Sequence, residues 1–302
     1  MVTPIHIDSG IAGHHVLISA GVHGDEYEPM LATRVLIKKL PKLLKTGSVT
    51  IVPVVNISAA AADSRYGADG LDLARICPGN KEGTASEQSA AHISDLIKKA
   101  DFYIDLHTGG RIFQIFPLAG YMLHASKEVL EKQQMMARAF NLPVIWGTDA
   151  APNGRTLSVA RDAHIPAIYV EYGGGNVVKK PIIKAYTEGC LHVLRQLNMG
   201  EKKDVKEKLM HWIEDYTPNN GHLQVKMPAP TEGVFTTKVQ LGKRVTKGQL
   251  WGTITDIFKG EETNVYADED GIVLFLRDAA YVKKGDSLGG LLPINDNKHI
   301  VK

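Results

Sequence analysis

The stretch His15–Met30 limits the choice of fold more than any other part of this chain of 302 residues. Val16, Leu17 and Ile18 are a short apolar run that reads as a buried strand. Gly21 and Gly24 bracket a tight turn, where the backbone needs the freedom that glycine gives. From about Glu26 to Leu40 the apolar residues recur at helical spacing. A strand that passes through a tight turn straight into a helix belongs to an open α/β sheet, and ligands bind in the crevice outside the ends of such strands. His23 and Glu26 sit in that turn, three residues apart. An imidazole and a carboxylate at this spacing can grip one metal ion together. A glycine-rich turn with two solvated polar residues would have the same local sequence.

A third candidate ligand lies far along the chain. Asp101–Leu106 is a short, mostly apolar strand, and it runs into His107-Thr108-Gly109-Gly110. His107 therefore also stands at a strand end beside glycines. Two histidines and one glutamate are the ligand set of catalytic zinc sites, in which a fourth position is left for water. A structural zinc site would call for four protein ligands, usually cysteines, and the chain has only Cys77 and Cys190.

The remaining pattern alternates strands and helices. Pro4–Asp8, His14–Ala20, Ser48–Val55, Ile112–Leu118, Pro143–Gly147 and Ile165–Glu171 read as further strands. Helical spacing covers Ser126–Phe140 and Leu157–Ala163, Thr84-Ala-Ser-Glu87 reads as a capping box opening a helix to about Lys99, and Pro181 opens a helix to about Asn198. Such alternation predicts a mainly parallel or mixed sheet covered on both faces. Asn56–Gly83 is a long polar loop, and loops of this length in compact domains are usually functional or disordered. It carries Arg65, Asp72 and Arg75, which favours function. The charged segment Glu201–Asp215 reads as a linking helix. Beyond it, Glu232-Gly-Val…Val245-Thr-Lys-Gly and Asp270-Gly-Ile…Val282-Lys-Lys-Gly repeat weakly, in a way that resembles the half-barrels of biotinyl and lipoyl domains. Lys259, between the two halves, has no neighbouring Met, so the module reads as structural and not as a cofactor carrier.

Taken together, His23-x-x-Glu26, His107 in Asp-Leu-His and Glu171 in Val-Glu-Tyr-Gly-Gly resemble the succinylglutamate desuccinylase/aspartoacylase family, a branch of the zinc carboxypeptidase-like hydrolases. The wording Gly-x-His-Gly-Asp-Glu-Tyr-Glu is similar to the bacterial branch that includes N-acetyl-diaminobutyrate deacetylases. The resemblance extends over nearly the whole chain. It implies an α/β fold, a mixed sheet flanked by helices, with a smaller C-terminal β domain. The expected division is a catalytic domain at 1–200, a linker at 201–221 and a barrel-sandwich-like β domain at 222–302. It implies one Zn2+ per chain on His23, Glu26 and His107, with Glu171 as general base and then general acid. Arg65, in Asp-Ser-Arg-Tyr, matches the arginine that stabilises the oxyanion, and Arg75, in Asp-Leu-Ala-Arg, matches the arginine that pairs with a substrate carboxylate. The chain departs from the family pattern at Ala74, where an asparagine is usual. Tyr281 is similar to a family tyrosine that reaches into the substrate channel, and an aromatic ring with a hydroxyl suits a residue that covers a small substrate. Asp105 shares the strand face of His107, where it can orient that ligand or serve as a buried structural acid. Arg155 and Arg161 are set aside as either pocket or surface residues, and His14, His15, His124 and His164 are read as structural.

Net charge is only +2, from 35 basic and 33 acidic residues, which gives no case for nucleic acid or for attraction to a membrane surface. Two cysteines argue against a disulfide framework. No apolar stretch approaches the roughly 20 residues that span a bilayer, and no signal peptide is visible, so a cytoplasmic protein is expected. The expected function is zinc-dependent removal of an acyl group from an N-acyl amino acid or related small amide. A peptide-cleaving zinc carboxypeptidase and a small-molecule binding protein without catalysis are the alternatives. The expected partner is a small acylated amine or amino acid, and self-association is left open.

Overall fold

The computed structural model describes residues 3–218, 220, 226–293, 299 and 300. The boundary expected at 221/222 lies outside the described residues. In chain order the first part contains β1 (Ile5–Asp8), β2 (His15–Ala20), α1 (Tyr27–Leu43), β3 (Ser48–Val52), α2 (Ile57–Ala61), a 3-10 turn at Leu73–Arg75, α3 (Ala85–Ile97) and β4 (Phe102–His107). It continues with β5 (Phe113–Met122), α4 (Lys127–Phe140), β6 (Val144–Thr148), α5 (Thr156–Asp162), β7 (Ala167–Gly174), α6 (Lys180–Gln196) and β8 (His211–Glu214). These strands form one sheet in the order β1-β3-β2-β4-β7-β5-β6-β8. β3, β2, β4 and β7 are parallel, β5 runs antiparallel to β7, and β6 and β8 follow the direction of β5. The sheet is mixed, as the alternation of elements predicts.

Period-2 alternation divides each central strand between two apolar layers. Val16, Ile18 and Ala20 of β2, with Ile104 and Leu106 of β4, pack under α1, α4 and α6. Leu17 and Tyr103 point the other way, into the layer under α3 and α5. Burial on both faces is why these strands read as nearly unbroken apolar runs. It also fixes where the polar exceptions go: Asp105, His107, Tyr169 and Glu171 occupy alternate positions on the α3/α5 side. No helix among the described residues is long and apolar enough to cross a membrane.

The long loop after β3 has structure of its own. α2 and the 3-10 turn lie within it, and Asp69 ties it to α3 by accepting from the Ser86 backbone N and hydroxyl, each at 2.8 Å. Glu87 accepts from the Thr84 backbone N at 2.8 Å, which is the reciprocal half of the capping box.

Glu201–Asp215 is not the expected helix. Residues 201–210 have no regular structure, and His211–Glu214 forms β8 on the edge of β6. The charges supply helix-compatible residues but no apolar stripe to dock a helix. The Met210 backbone N instead donates to the Pro143 carbonyl at 2.8 Å, and the Trp212 indole donates to the Tyr121 hydroxyl at 3.0 Å.

Among the described residues the regular elements of the C-terminal part are all strands: β9 (Gly233–Thr237), β10 (Arg244–Val245), β11 (Leu250–Thr255), β12 (Glu262–Tyr266), β13 (Gly271–Arg277), β14 (Tyr281–Val282), β15 (Gly289–Pro293) and β16 (His299–Ile300). Four of these make a separate sheet, β12-β11-β9-β14, and Trp251, Ile254, Val273 and Leu276 belong to the apolar core beneath it. β13 also leaves this module. It pairs antiparallel with β5, Phe275 opposite Ile115, and so extends the large sheet.

Candidate active site

The turn after β2 is shaped by close approach. A Cβ on Gly24 would lie 2.0 Å from the Ala59 carbonyl carbon, so only glycine lets α2 settle over the turn. The Gly24 backbone N donates to the Ser64 carbonyl at 2.9 Å, which places the next residue, Arg65, above His23. Glu26 is the N-cap residue of α1, yet its side chain makes no cap hydrogen bond. Its carboxylate serves the two histidines: Oε1 lies 2.7 Å from His23 Nδ1 and Oε2 lies 3.0 Å from His107 Nδ1. His107 comes from the end of β4, next to β2 in the sheet. All three side chains are buried, and one potential ligand atom from each lies within 4.8 Å of the others.

A carboxylate backs each imidazole on its far side. Asp105 Oδ2 lies 3.1 Å from His107 Nε2, and Asp72 Oδ1 lies 3.3 Å from His23 Nε2. Asp105 is fully buried and is itself held by Ser19 at 2.7 Å and by the Thr156 hydroxyl. Burial opposes ionisation of Glu26, but the facing His23 and His107 hold its carboxyl well below the usual range. Burial also opposes a charge on His107, yet Asp105 and Glu26 drive that ring towards the imidazolium. A site that gathers positive charge between carboxylates, with both Nδ1 atoms turned to one Glu, fits a cation. Carboxylates behind metal-binding imidazoles are the usual means of fixing the ring and its tautomer.

Glu171 stands beside His107 in the register of β4 and β7. Burial pushes its carboxyl up to about 8; Glu26 and Asp105 add to the shift, while His107 and Arg65 oppose it. Its Oε2 is buried and has no hydrogen-bond partner among the described residues. Arg65 donates to Asp72 through Nε at 3.0 Å and Nη2 at 2.9 Å, and its Nη1 lies 3.4 Å from His23 Nδ1.

One cavity brings together His23, Glu26, His107, Glu171, Arg65 and Arg75. Arg155, the N-cap residue of α5, also lines it, whereas Arg161 does not. Arg161 is occupied by the Asn153 side chain and the Ala150 carbonyl. Burial and the neighbouring Arg75 charge both lower the pKa of Arg155, so the two guanidinium groups share one patch of positive potential. Asp72 is a further part of the site; its acidic type and its place between Arg65 and Arg75 in the loop were the available signal. No local signal separates Arg155 from Arg161.

Tyr281 is not a wall of this cavity. It lies on β14, paired with Val234, at the edge of the four-stranded sheet, and is 48% exposed. Its neighbour Val282 points inward, so alternation turns the tyrosine outward. Among the described C-terminal residues it is Phe275 that lines the cavity, carried there by the pairing of β13 with β5.

The family model of the succinylglutamate desuccinylase/aspartoacylase catalytic domain matches residues 12–197. The chain is 27% identical over 299 residues to the N-alpha-acetyl-L-2,4-diaminobutyric acid deacetylase of Halomonas elongata, covering 94% of this chain and 84% of that one. Among solved structures, a succinylglutamate desuccinylase/aspartoacylase from Rhodobacter sphaeroides aligns with a TM-score of 0.82 at 25% identity, over 93% of this chain and 86% of that one. The product-bound ectoine utilization protein EutE (DoeB) from Ruegeria pomeroyi has the same fold, with a TM-score of 0.85 at 24% identity, over 94% of this chain and 86% of that one.

Proposed function

The chain belongs to the succinylglutamate desuccinylase/aspartoacylase family, and from that premise we propose that it is a zinc-dependent amidohydrolase that removes the acyl group from an N-acyl amino acid or a related small amide. The observation that carries this reading is the buried His23–Glu26–His107 triangle with the unpartnered Glu171 oxygen one strand away. Two imidazoles and one carboxylate are the donors that zinc takes when one position stays open for chemistry. A zinc ion held there supplies a Lewis acid that polarises the scissile carbonyl and lowers the pKa of water.

The chain's own residues divide the rest of the work. Glu171 takes the proton from the attacking water and passes it to the leaving amine. An elevated carboxyl pKa suits this double role, because the group must gain and lose a proton near neutral pH. Arg65, fixed by two bonds to Asp72, presents positive charge where the carbonyl oxygen becomes negative. Arg75 and Arg155 receive a substrate carboxylate, for which a guanidinium is well shaped. Phe275 on the cavity wall supports a small substrate over a peptide, since the C-terminal module narrows the cleft. Glu171 in place beside the ligand triangle supports catalysis over binding alone.

The test is release of primary amine from a panel of N-acyl amino acids by zinc-loaded protein. Glu171→Gln keeps the shape but cannot accept the proton, and kcat should fall by about 10²–10⁴-fold. Zinc content should be unchanged. Near-normal turnover in that variant would mean that another group moves the proton.

A further inference from the structure

On the amidohydrolase reading, from which this follows, we propose that the substrate is an N-acyl amino acid bearing one carboxylate and one bulky apolar group, seated on a wall built by β5, β6 and β13. The sheet register sets out this wall. One row across the sheet runs His107, Glu171, Leu118, and the next runs Asp105, Tyr169, Gly120, Trp146. Moving sideways from the metal ligands, polar residues therefore give way to apolar ones within two strands.

Two local features enlarge the apolar side. The β5/β7 pairing is irregular between Ile115 and Leu118, so two residues three apart both line the cavity despite the period of two. Gly120 has no Cβ; one would lie 2.2 Å from Cζ of Tyr169, so the glycine lets that ring lie across β5. Phe275 closes the row opposite Ile115, its ring edge-on to Phe113 at 5.3 Å between centroids.

The charges point the same way. Among the described residues lining the cavity, the only acids are Glu26 and Glu171, both engaged at the reacting centre. A substrate ammonium would find no carboxylate of its own. The cations other than Arg65 are Arg75 and Arg155, which lie together: a bridge between Cys77 and Gly154 joins their segments, and a Cβ on Gly154 would lie 2.3 Å from the Arg75 carbonyl oxygen. They form one carboxylate site. A second charged group would be pressed against the apolar wall, where burial without a partner is unfavourable.

The experiment uses the full-length, zinc-loaded protein and measures kcat/KM for amine release. One arm places the apolar group on the amino acid, in N-acetyl-L-phenylalanine and N-acetyl-L-leucine. A second arm places it on the acyl side, in N-benzoylglycine and N-octanoylglycine. The references are N-acetylglycine, N-acetyl-L-aspartate and N-acetyl-L-2,4-diaminobutyrate. At least one apolar arm should exceed N-acetylglycine by about 10–100-fold, the range a well-filled apolar pocket gives; which arm does so identifies the side of the amide that meets the wall. Phe275→Ala, checked for folding by its thermal melt, should collapse that ratio, and Phe275→Leu should keep most of it. If hydrolysis occurs but the small or doubly charged references are the best substrates, the proposal is overturned and the hydrolase reading stands. If zinc is bound and no member of the panel is cleaved, the hydrolase reading falls and the proposal falls with it.

Discussion

His107 shows how much one side chain depends on its two neighbours. Glu26 faces its Nδ1 and the buried Asp105 faces its Nε2, so the ring cannot turn without losing a bond on one side. With zinc at the triangle, His107 Nε2–H would donate a hydrogen bond to the Asp105 carboxylate and leave Nδ1 free to bind. His107→Ala should therefore lose most of about one zinc per chain, measured by elemental analysis. Full retention would remove His107 from the site. Asp105→Asn leaves every ligand in place and should still weaken zinc affinity by about 10–100-fold in a chelator competition. An unchanged affinity would make Asp105 a structural acid held by Ser19 and Thr156. Its alternation with His107 was legible in the sequence; which of these two roles it fills depends on the packing of α5 against β4.

At the scale of elements, the segment between β3 and α3 is the one that the site needs held still, because it carries Arg65, Asp72 and Arg75. Asp69 is its anchor. Burial opposes its ionisation, but the backbone N–H of Ser86, the Thr84 and Ser86 hydroxyls and the Leu71 N–H together outweigh it and lower its carboxyl from 3.8 to about 2. A carboxyl held below its unfolded value adds stability above that value and loses it as pH falls through the folded one. Asp69→Ala should therefore destabilise the protein at neutral pH by about 0.5–2 kcal/mol, the range for losing a helix cap. The difference from the parent should close as pH falls from about 4 to about 2, read from urea midpoints. A gap that persists to the acid end would mean that the loss is one of packing. The loop's length and arginines marked it out in the sequence, and Arg65 and Arg75 do line the cavity, whereas its anchoring could not be read, since Asp69 and Ser86 are joined only when α3 packs beside it. The failure at Glu201–Asp215 has the same origin: charge patterning says little about a segment whose fate is settled by a free sheet edge at β6.

Across the whole molecule, the C-terminal strands do more than form a second sheet. β13 hydrogen-bonds to β5, and the cavity gains Phe275 by that join. Tyr281, the residue expected from the sequence to reach the substrate, sits on β14, at an edge of the separate four-stranded sheet to which β13 does not belong. Tyr281→Phe should leave kcat/KM and the melting temperature close to those of the parent. A fall of several-fold in kcat/KM would restore the tyrosine to the substrate channel.

The sequence by itself determined the strand-turn-helix units, the place of His23 and Glu26 in the turn after β2 and of His107 at the end of β4; Glu171, which read as the end of its strand, lies within β7, which runs on to Gly174. These are local properties: apolar periodicity places a residue at the carboxyl end of a strand, and parallel neighbours bring those ends to one edge of the sheet. Only the tertiary structure decided what meets there. Asp72 reaches His23 across 49 positions of chain, Arg155 enters the cavity while Arg161 is consumed by its own loop, and Phe275 lines the cavity where Tyr281 does not. Strand periodicity says which residues share a face; it does not say which strand comes to lie beside it, because that choice is made by packing and by unpaired edges far apart in sequence.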